Sequence, residues 1–248
     1  MKSPAPSIFL KHLPVRLLLM FLLFFQQALP IHASPAHTGS NFTAGNGMAM
    51  MWVEPIKGWV GKYVVTQEEY QKVMGTNPSQ YKGLRLPVET VNWFEALDYC
   101  KKLTEQDHVS GILPAGCQYS LPTDAQYDIF VGDAGGMDDT AQLLNQQKPN
   151  FTADVGTKGA NQYGLYDTRG LFWQWCLDDF KRKSMNIGLD IVKRYYYLGP
   201  GIGKVLRGGT LPHCDVVVPV VYRYRGSPGL HFCLYGFRAV IVSAQKGA

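Results

Sequence analysis

KVLRGGTLPHCDVVVPVVYRYRGSPGLHFCLYGFR, Lys204 to Arg238, is the stretch on which the reading of this chain turns. Val205-Leu206 running into Arg207-Gly208-Gly209 has the pattern of a strand that ends in a close backbone approach. Gly236-Phe237-Arg238 leads into Ala239-Val240-Ile241-Val242, where a strand resumes. Between these ends, apolar residues, Pro, His, Cys, Tyr and Arg follow one another with neither a helical nor a strand period, which predicts a loop-rich surface. From Gly208 to Arg238 there is no Lys, Gln, Glu, Met or Trp, although all five are frequent elsewhere in the chain.

Working outward, the upstream chain alternates short strands and capped helices. Met48 to Val53 and Trp59 to Val65 are strand candidates, rich in β-branched and aromatic residues. Thr66-Gln67-Glu68-Glu69 fits a capping box, with Tyr70, Val73 and Met74 at helical spacing until Gly75. Asn92 caps a helix over Trp93 to Leu103, whose Phe94, Leu97 and Lys101 or Trp93, Leu97 and Cys100 faces are amphipathic. Thr123 caps a short helix that opens on Asp124. Gly164 to Cys176, dense in aromatics and glycine, reads as a core turn. The stretch from 138 to 163 is polar and loop-like.

The 248 residues carry 46% apolar and 17% charged side chains, a globular composition, and nothing after Gly47 marks a second domain. The net charge of +5 is spread along the chain, without the dense basic run of a nucleic-acid footprint. Lys2, Lys11 and Arg16 precede the apolar run Leu17 to Phe25, with small Ala33 beyond. Residues 1–33 therefore read as an export signal, too short in its apolar part to span a membrane, and 34–47 as a flexible leader to a domain over 48–243. Export predicts a periplasmic, cell-surface or secreted protein. The five cysteines (Cys100, Cys117, Cys176, Cys214, Cys233) then allow at most two internal disulfides. Asn41-Phe42-Thr43 and Asn150-Phe151-Thr152 fit the glycosylation triplet, which matters only in a eukaryote. No Gly-x-Ser-x-Gly elbow, Cys-x-x-Cys pair, phosphate loop or histidine pair at metal-ligand spacing occurs.

Six motifs in order carry a resemblance: GKYVVTQEEYQKVMGTNPS (Gly61 to Ser79), PVETVNWFEALDYC (Pro87 to Cys100), YSLPTDAQYD (Tyr119 to Asp128), YGLYDTRGLFWQWC (Tyr163 to Cys176), LRGG (Leu206 to Gly209) and YGFR (Tyr235 to Arg238). Together they resemble the formylglycine-generating-enzyme, or sulfatase-modifying-factor, family. The resemblance implies an α+β fold: a single compact domain, a variation on the C-type lectin, with much irregular structure. It also implies a possible activity, the copper- and oxygen-dependent oxidation of a cysteine in a sulfatase-type substrate by two cysteines that follow the RGG motif. Cys214 stands near the first of these positions. The approach to Tyr222-Arg223-Tyr224-Arg225 is Val216-Val217-Val218-Pro219-Val220-Val221, without a thiol, so Cys233 would have to supply the second. Soft thiolate pairs are what Cu(I) requires, and the spacing argues against a copper site.

The family's structural calcium loop corresponds to Asp167, Gly170, Phe172 and Gln174, which leaves room for a calcium held by two side-chain oxygens and two carbonyls, with one formal negative charge. Charge is lost elsewhere too, at Val64, Gln126 and Gln174.

Some exported members of the fold are variable proteins of diversity-generating retroelements, rewritten between RGG and GFR at asparagine-type codons. On that layout the rewritten, ligand-binding positions are Pro212, His213, Cys214, Val216, Val217, Tyr224, Arg225, Ser227, Leu230, Phe232 and Leu234, with Gly226, Gly229 and Cys233 also in the set. Pro219 departs from it, since a basic residue is expected there. Rigid aromatics with arginine and histidine are the composition of a recognition surface. The reading is an exported, non-catalytic module binding a protein or a small molecule between Thr210 and Tyr235, with no nucleic acid and no membrane span after signal removal. The contending reading is the formylglycine-generating oxidase.

Overall fold

The local signals of the first half form the elements they predict, except that the strand expected over Trp59 to Val65 ends at Gly61. The computed structural model describes residues 39–132, 153–170, 172–181, 203–209 and 223–243, all within one unit spanning 33–248. Helix α1 (Gln67–Met74), helix α2 (Trp93–Val109) and helix α3 (Asp124–Phe130) each begin on a reciprocal capping box, Thr66 with Glu69, Asn92 with Glu95 and Thr123 with Gln126. In each box a side chain satisfies an otherwise orphan amide at the helix start. Helix α2 runs two turns past Leu103 and is followed by Gly111 in a left-handed conformation.

Two sheets organise the rest. In the first, β1 (Phe42–Thr43), β2 (Ala49–Val53), β3 (Gly58–Gly61), β9 (Val240–Ser243) and β4 (Cys117–Ser120) lie side by side in that order, all antiparallel. The last strand of the fold thus closes between the third and the fourth. In the second sheet, β7 (Tyr224–Gly226), β6 (Lys204–Arg207), β5 (Trp173–Asp179) and β8 (Tyr235–Gly236) are neighbours in that order, β5 and β8 running parallel. Long loops join these elements, so the architecture is the α+β domain with much irregular backbone that the motifs imply. Its main core stacks Tyr70 on Tyr99 and sets both edge-on to Phe237, with Trp175 and Leu103 also buried.

Two further expectations change, and the cysteines stay within the bound of at most two disulfides. The stretch expected to be a flexible leader is part of the domain from Phe42 onward. β1 pairs with β2, the Gly45 amide donates to the buried Asp107 carboxylate at 3.1 Å, and Asn46 Nδ2 donates to the Tyr99 hydroxyl at 2.6 Å. Residues 34–38 lie outside the described residues, as do residues 1–33, where the export signal is expected. The expected core turn at Gly164 to Cys176 gives way at Trp173 to strand β5, whose first four side chains are all buried. A strand buried on both faces carries no alternation to betray it. Finally, Cys100, Cys117, Cys176 and Cys233 are free thiols, so none of the described cysteines is in a disulfide. Cys214 lies outside the described residues.

Candidate functional site

The ends of the terminal segment are locked by buried arginines. Arg207, at the end of β6, is 1% exposed and pairs with Asp124 and Asp128 of α3, while Arg223 Nε approaches the other Asp124 oxygen at 2.6 Å. The Asp124 amide in turn donates to Asp178 at 2.7 Å. Gly208 has φ +76°, and a Cβ on it would overlap the Tyr127 hydroxyl; one on Gly209 would overlap the Trp173 ring. These glycines are packing requirements.

At the other end Arg238, 0% exposed, donates from Nε to Gln174 Oε1 at 3.1 Å, from Nη1 to the Gly61 carbonyl at 2.7 Å and from Nη2 to the Tyr166 carbonyl. Burial pulls its pKa down to about 10, against the raising effect of nearby Asp167.

Arg238 decides how the expected calcium loop is built. Gln174 turns its carbonyl oxygen to Arg238 and its amide nitrogen to the Asp167 carbonyl at 3.0 Å. Asp167, at φ 52°, accepts from the Gly156 amide at 2.7 Å, and burial pushes its carboxyl up. The Gly170 amide bonds to the Gly208 carbonyl, and the Phe172 side chain is in the core. Gln174 Oε1 and Asp167 Oδ2 already accept from protein donors, and a guanidinium supplies the local positive charge. A single carboxylate beside a buried guanidinium is a poor cage for a hard cation.

Among the described residues of the segment, the accessible part is the connection from β7 to β8. It is pinned to the start of α2: the Trp93 amide donates to the Pro228 carbonyl at 3.0 Å, the Thr90 amide to the Phe232 carbonyl at 3.2 Å, and His231 Nε2 lies 3.0 Å from Glu95 and 3.1 Å from Asn92 Nδ2. Thr90 has φ 59°, a left-handed conformation that a β-branched residue rarely adopts, and its hydroxyl donates to the buried Glu89 carboxylate. Backbone strain of this kind sits on the seam that holds the loop.

Of the expected ligand-binding residues, Ser227, Leu230 and Phe232 are exposed and Arg225 is half-buried. Two others are corrected. Tyr224 is 7% exposed with its ring 5.1 Å from Trp173, and Leu234 is 9% exposed with its carbonyl accepting from the Trp173 amide. The cause for Tyr224 is the two-residue period of β7, which sends Tyr224 and Gly226 inward and Arg225 the other way. Pro212, His213, Cys214, Val216 and Val217 lie outside the described residues.

Cys233 is half-buried, and burial together with the charge of Glu89 pushes its thiol up. Among the described residues no three His, Cys, Asp or Glu side chains are grouped to hold a metal.

Sequence reasoning missed the first turn of α2 as part of this surface. Its buried face is Ala96, Tyr99, Cys100, Leu103 and Asp107, so of the adjacent Trp93 and Phe94 only one can turn inward. Trp93 does, donating from its indole to the Cys176 carbonyl at 2.9 Å, and Phe94 is left exposed. Two neighbouring aromatics at a helix start carried that signal.

Two small sheets, the first completed by a returning terminal strand, with the β7–β8 connection held over a helix start, make an α+β domain with much irregular backbone. The profile of the sulfatase-modifying factor enzyme 1-like domain matches residues 41–242, and the chain belongs to that family. Among solved structures it is similar in fold to variable protein 1 of Treponema denticola, at TM-score 0.58 and 24% identity, covering 86% of this chain and 99% of that one. It is also similar to PvdO from Pseudomonas aeruginosa, at TM-score 0.55 and 17% identity, covering 83% and 99%.

Among curated relatives, the chaperone protein LppX of Paenibacillus barcinonensis is 26% identical over 171 residues, 48% of this chain and 61% of that protein. The serine/threonine-protein kinase pkn1 of Chlamydia pneumoniae is 28% identical over 158 residues, 61% of this chain but 23% of the kinase. The chain thus spans less than two thirds of either relative. Among the described residues no helix is long and apolar enough to cross a membrane.

Proposed function

We propose that this chain is an exported, non-catalytic binding module on a formylglycine-generating-enzyme scaffold, gripping a protein or small-molecule ligand through the surface between Thr210 and Tyr235. The observation that carries the reading is the β7–β8 connection, which is fastened to the start of α2 while Leu230, His231 and Phe232 stay exposed. Binding residues on a loop held by a rigid scaffold are a common arrangement. The likeness in fold to a variable protein supports the further reading that the segment is rewritten by a retroelement; a near-copy of the codons for 204–238 beside a reverse-transcriptase gene is the expected genomic sign. Export rests on residues 1–33, and the mass of the mature chain recovered outside the cytoplasm tests it.

Family membership favours one contender, the copper-dependent oxidase. The valine run from Val216 to Val221, which places no second thiol ahead of Tyr222, weighs against it. Copper(I) titration with oxygen-uptake measurement on a cysteine-containing sulfatase peptide separates the two. The binding reading expects neither stoichiometric uptake nor turnover. Tight uptake of one copper that Cys214→Ser abolishes, with oxygen consumed, would overturn it.

A further inference from the structure

From Ser227 to Cys233 every residue is exposed or half-buried, while Gly226 on one side and Leu234 on the other are buried. A segment that buries none of its side chains is held mainly by its hydrogen bonds, and such segments open apart from the rest of a fold. Among the described residues, the bonds that tie this one to other elements run to a single stretch, Thr90 to Glu95. The Trp93 amide donates to the Pro228 carbonyl at 3.0 Å, the Thr90 amide to the Phe232 carbonyl at 3.2 Å, and between them His231 Nε2 meets Glu95 at 3.0 Å and Asn92 at 3.1 Å. The segment also has a bond of its own, from the Leu230 amide to the Ser227 carbonyl at 3.0 Å, which keeps one turn closed when the seam is broken.

The seam is strained on its stationary side. Thr90 holds φ 59°, a conformation costly for a β-branched residue. Two bonds keep it there. Its hydroxyl donates to Glu89, which is 0% exposed and fixed from the other side by the Tyr81 amide at 2.9 Å, and its amide donates to the Phe232 carbonyl. Lifting the segment breaks the second bond and leaves Thr90 freer to relax. The strain therefore works against closure.

We infer that residues 227–233 are a strap that opens from Thr90–Glu95 and recloses as one unit while β7, β8 and α2 stay folded, and that the strain at Thr90 keeps the strap easy to open. Its use rests on the binding reading above. A ligand that binds the closed form better than the open one draws the strap shut, and one that prefers the open form holds it away, so the same surface can adjust to either.

Hydrogen exchange of the full chain, followed at single amides by nuclear magnetic resonance and with no ligand present, tests this. Trp93 is the first residue of α2, so its amide has no partner within the helix, and Thr90 lies ahead of the helix; the strap carbonyls are what protect both. The two amides are expected to share one protection factor, roughly a hundredfold or more below that of the Val88 amide, which is bonded to the Val65 carbonyl in the core. Their exchange should hardly respond to urea below the unfolding midpoint, because lifting the strap exposes little surface, whereas exchange at Val88 should rise with urea. His231→Ala should lower the protection of Thr90 and Trp93 by the same factor, about twofold to fivefold. Thr90→Asn, which tolerates the left-handed conformation, should raise the protection of Trp93 about fivefold to tenfold, and Thr90→Val, which keeps the branch and loses the hydroxyl, should not raise it. Protection factors at Thr90 and Trp93 that differ several-fold, or that respond unequally to His231→Ala, would mean separate bonds instead of one strap. A urea dependence equal to that of Val88 would mean that the strap never opens apart from the fold, and a Thr90→Asn chain no better protected than Thr90→Val would mean that strain does not set the opening. Each of these results overturns the inference and leaves the binding reading standing on a fixed loop.

Discussion

Replacing Arg238 by methionine separates the two accounts of the loop from Gly164 to Gln174, one closed by an internal guanidinium and one closed by a metal ion. The substitution keeps the length of the side chain while removing donors to Gln174 Oε1, the Gly61 carbonyl and the Tyr166 carbonyl. A buried acceptor left without a donor costs about 1–3 kcal/mol. Burial also opposes the charge of Arg238, holding its pKa at about 10, so removing that charge offsets part of the loss. The net destabilisation is on the order of 3 kcal/mol, within the range for breaking a buried charged network. For a domain of about 200 residues this lowers Tm by about 6–12 °C. Thermal unfolding followed by near-ultraviolet circular dichroism, run in EDTA and again in millimolar calcium, reads it directly. The expected result is the same decrease in both buffers, with a wild-type Tm indifferent to calcium. An R238M midpoint equal to wild type, or a wild-type midpoint several degrees higher in calcium, would refute the reasoning.

Two further outcomes follow from the packing and the buried carboxylates. Gly209→Ala drives a methyl into the Trp173 ring and should cost about 3 kcal/mol or prevent folding, whereas Gly229→Ala, with no atom within 4 Å of the new Cβ, should stay within about 0.5 kcal/mol in urea unfolding. Burial raises the Asp107 carboxyl above its ordinary 3.8, so the folded chain holds this proton more tightly than the unfolded chain does. The stability Asp107 contributes therefore falls as pH rises from about 4 through the raised value, and Asp107→Asn should flatten that part of a plot of urea midpoint against pH.

What could be read from the sequence was what is decided within a few residues. The caps at Thr66, Asn92 and Thr123 are bonds between a side chain and an amide three residues on, and all three form. The order of six motifs gave the family because each keeps its local chemistry. The leader was misread because what orders it is distant: Gly45 meets Asp107 62 residues away, and no composition rule sees that bond. Strand β5 was hidden by burial of both faces, and the inward turn of Tyr224 depended on the register of β7 against β6, where Tyr224 faces Leu206. The exposure of Phe94 lay in a choice between two helix faces that only the packing of Tyr99 and Leu103 in the core resolves.

The bonds that hold the terminal segment separate its conformation from its side chains, and this separation is what a binding module requires. Arg207 fixes one end to α3, and Arg238 fixes the other to β3 and the Tyr166 carbonyl, both from within the core. Between them, the β7–β8 connection is fastened through the carbonyls of Pro228 and Phe232, which any residue at those positions would present. The side chains of Ser227, Leu230 and Phe232 can then change without loosening the loop, so selection on a ligand can act on them with little cost to stability. His231 is the exception, because its fastening is made by the imidazole to Glu95. If the segment is diversified, His231 should therefore vary less than Leu230 and Phe232 among natural copies, and a set of sequences in which His231 varies as freely as its neighbours would mean that the His231–Glu95 contact does not hold the loop.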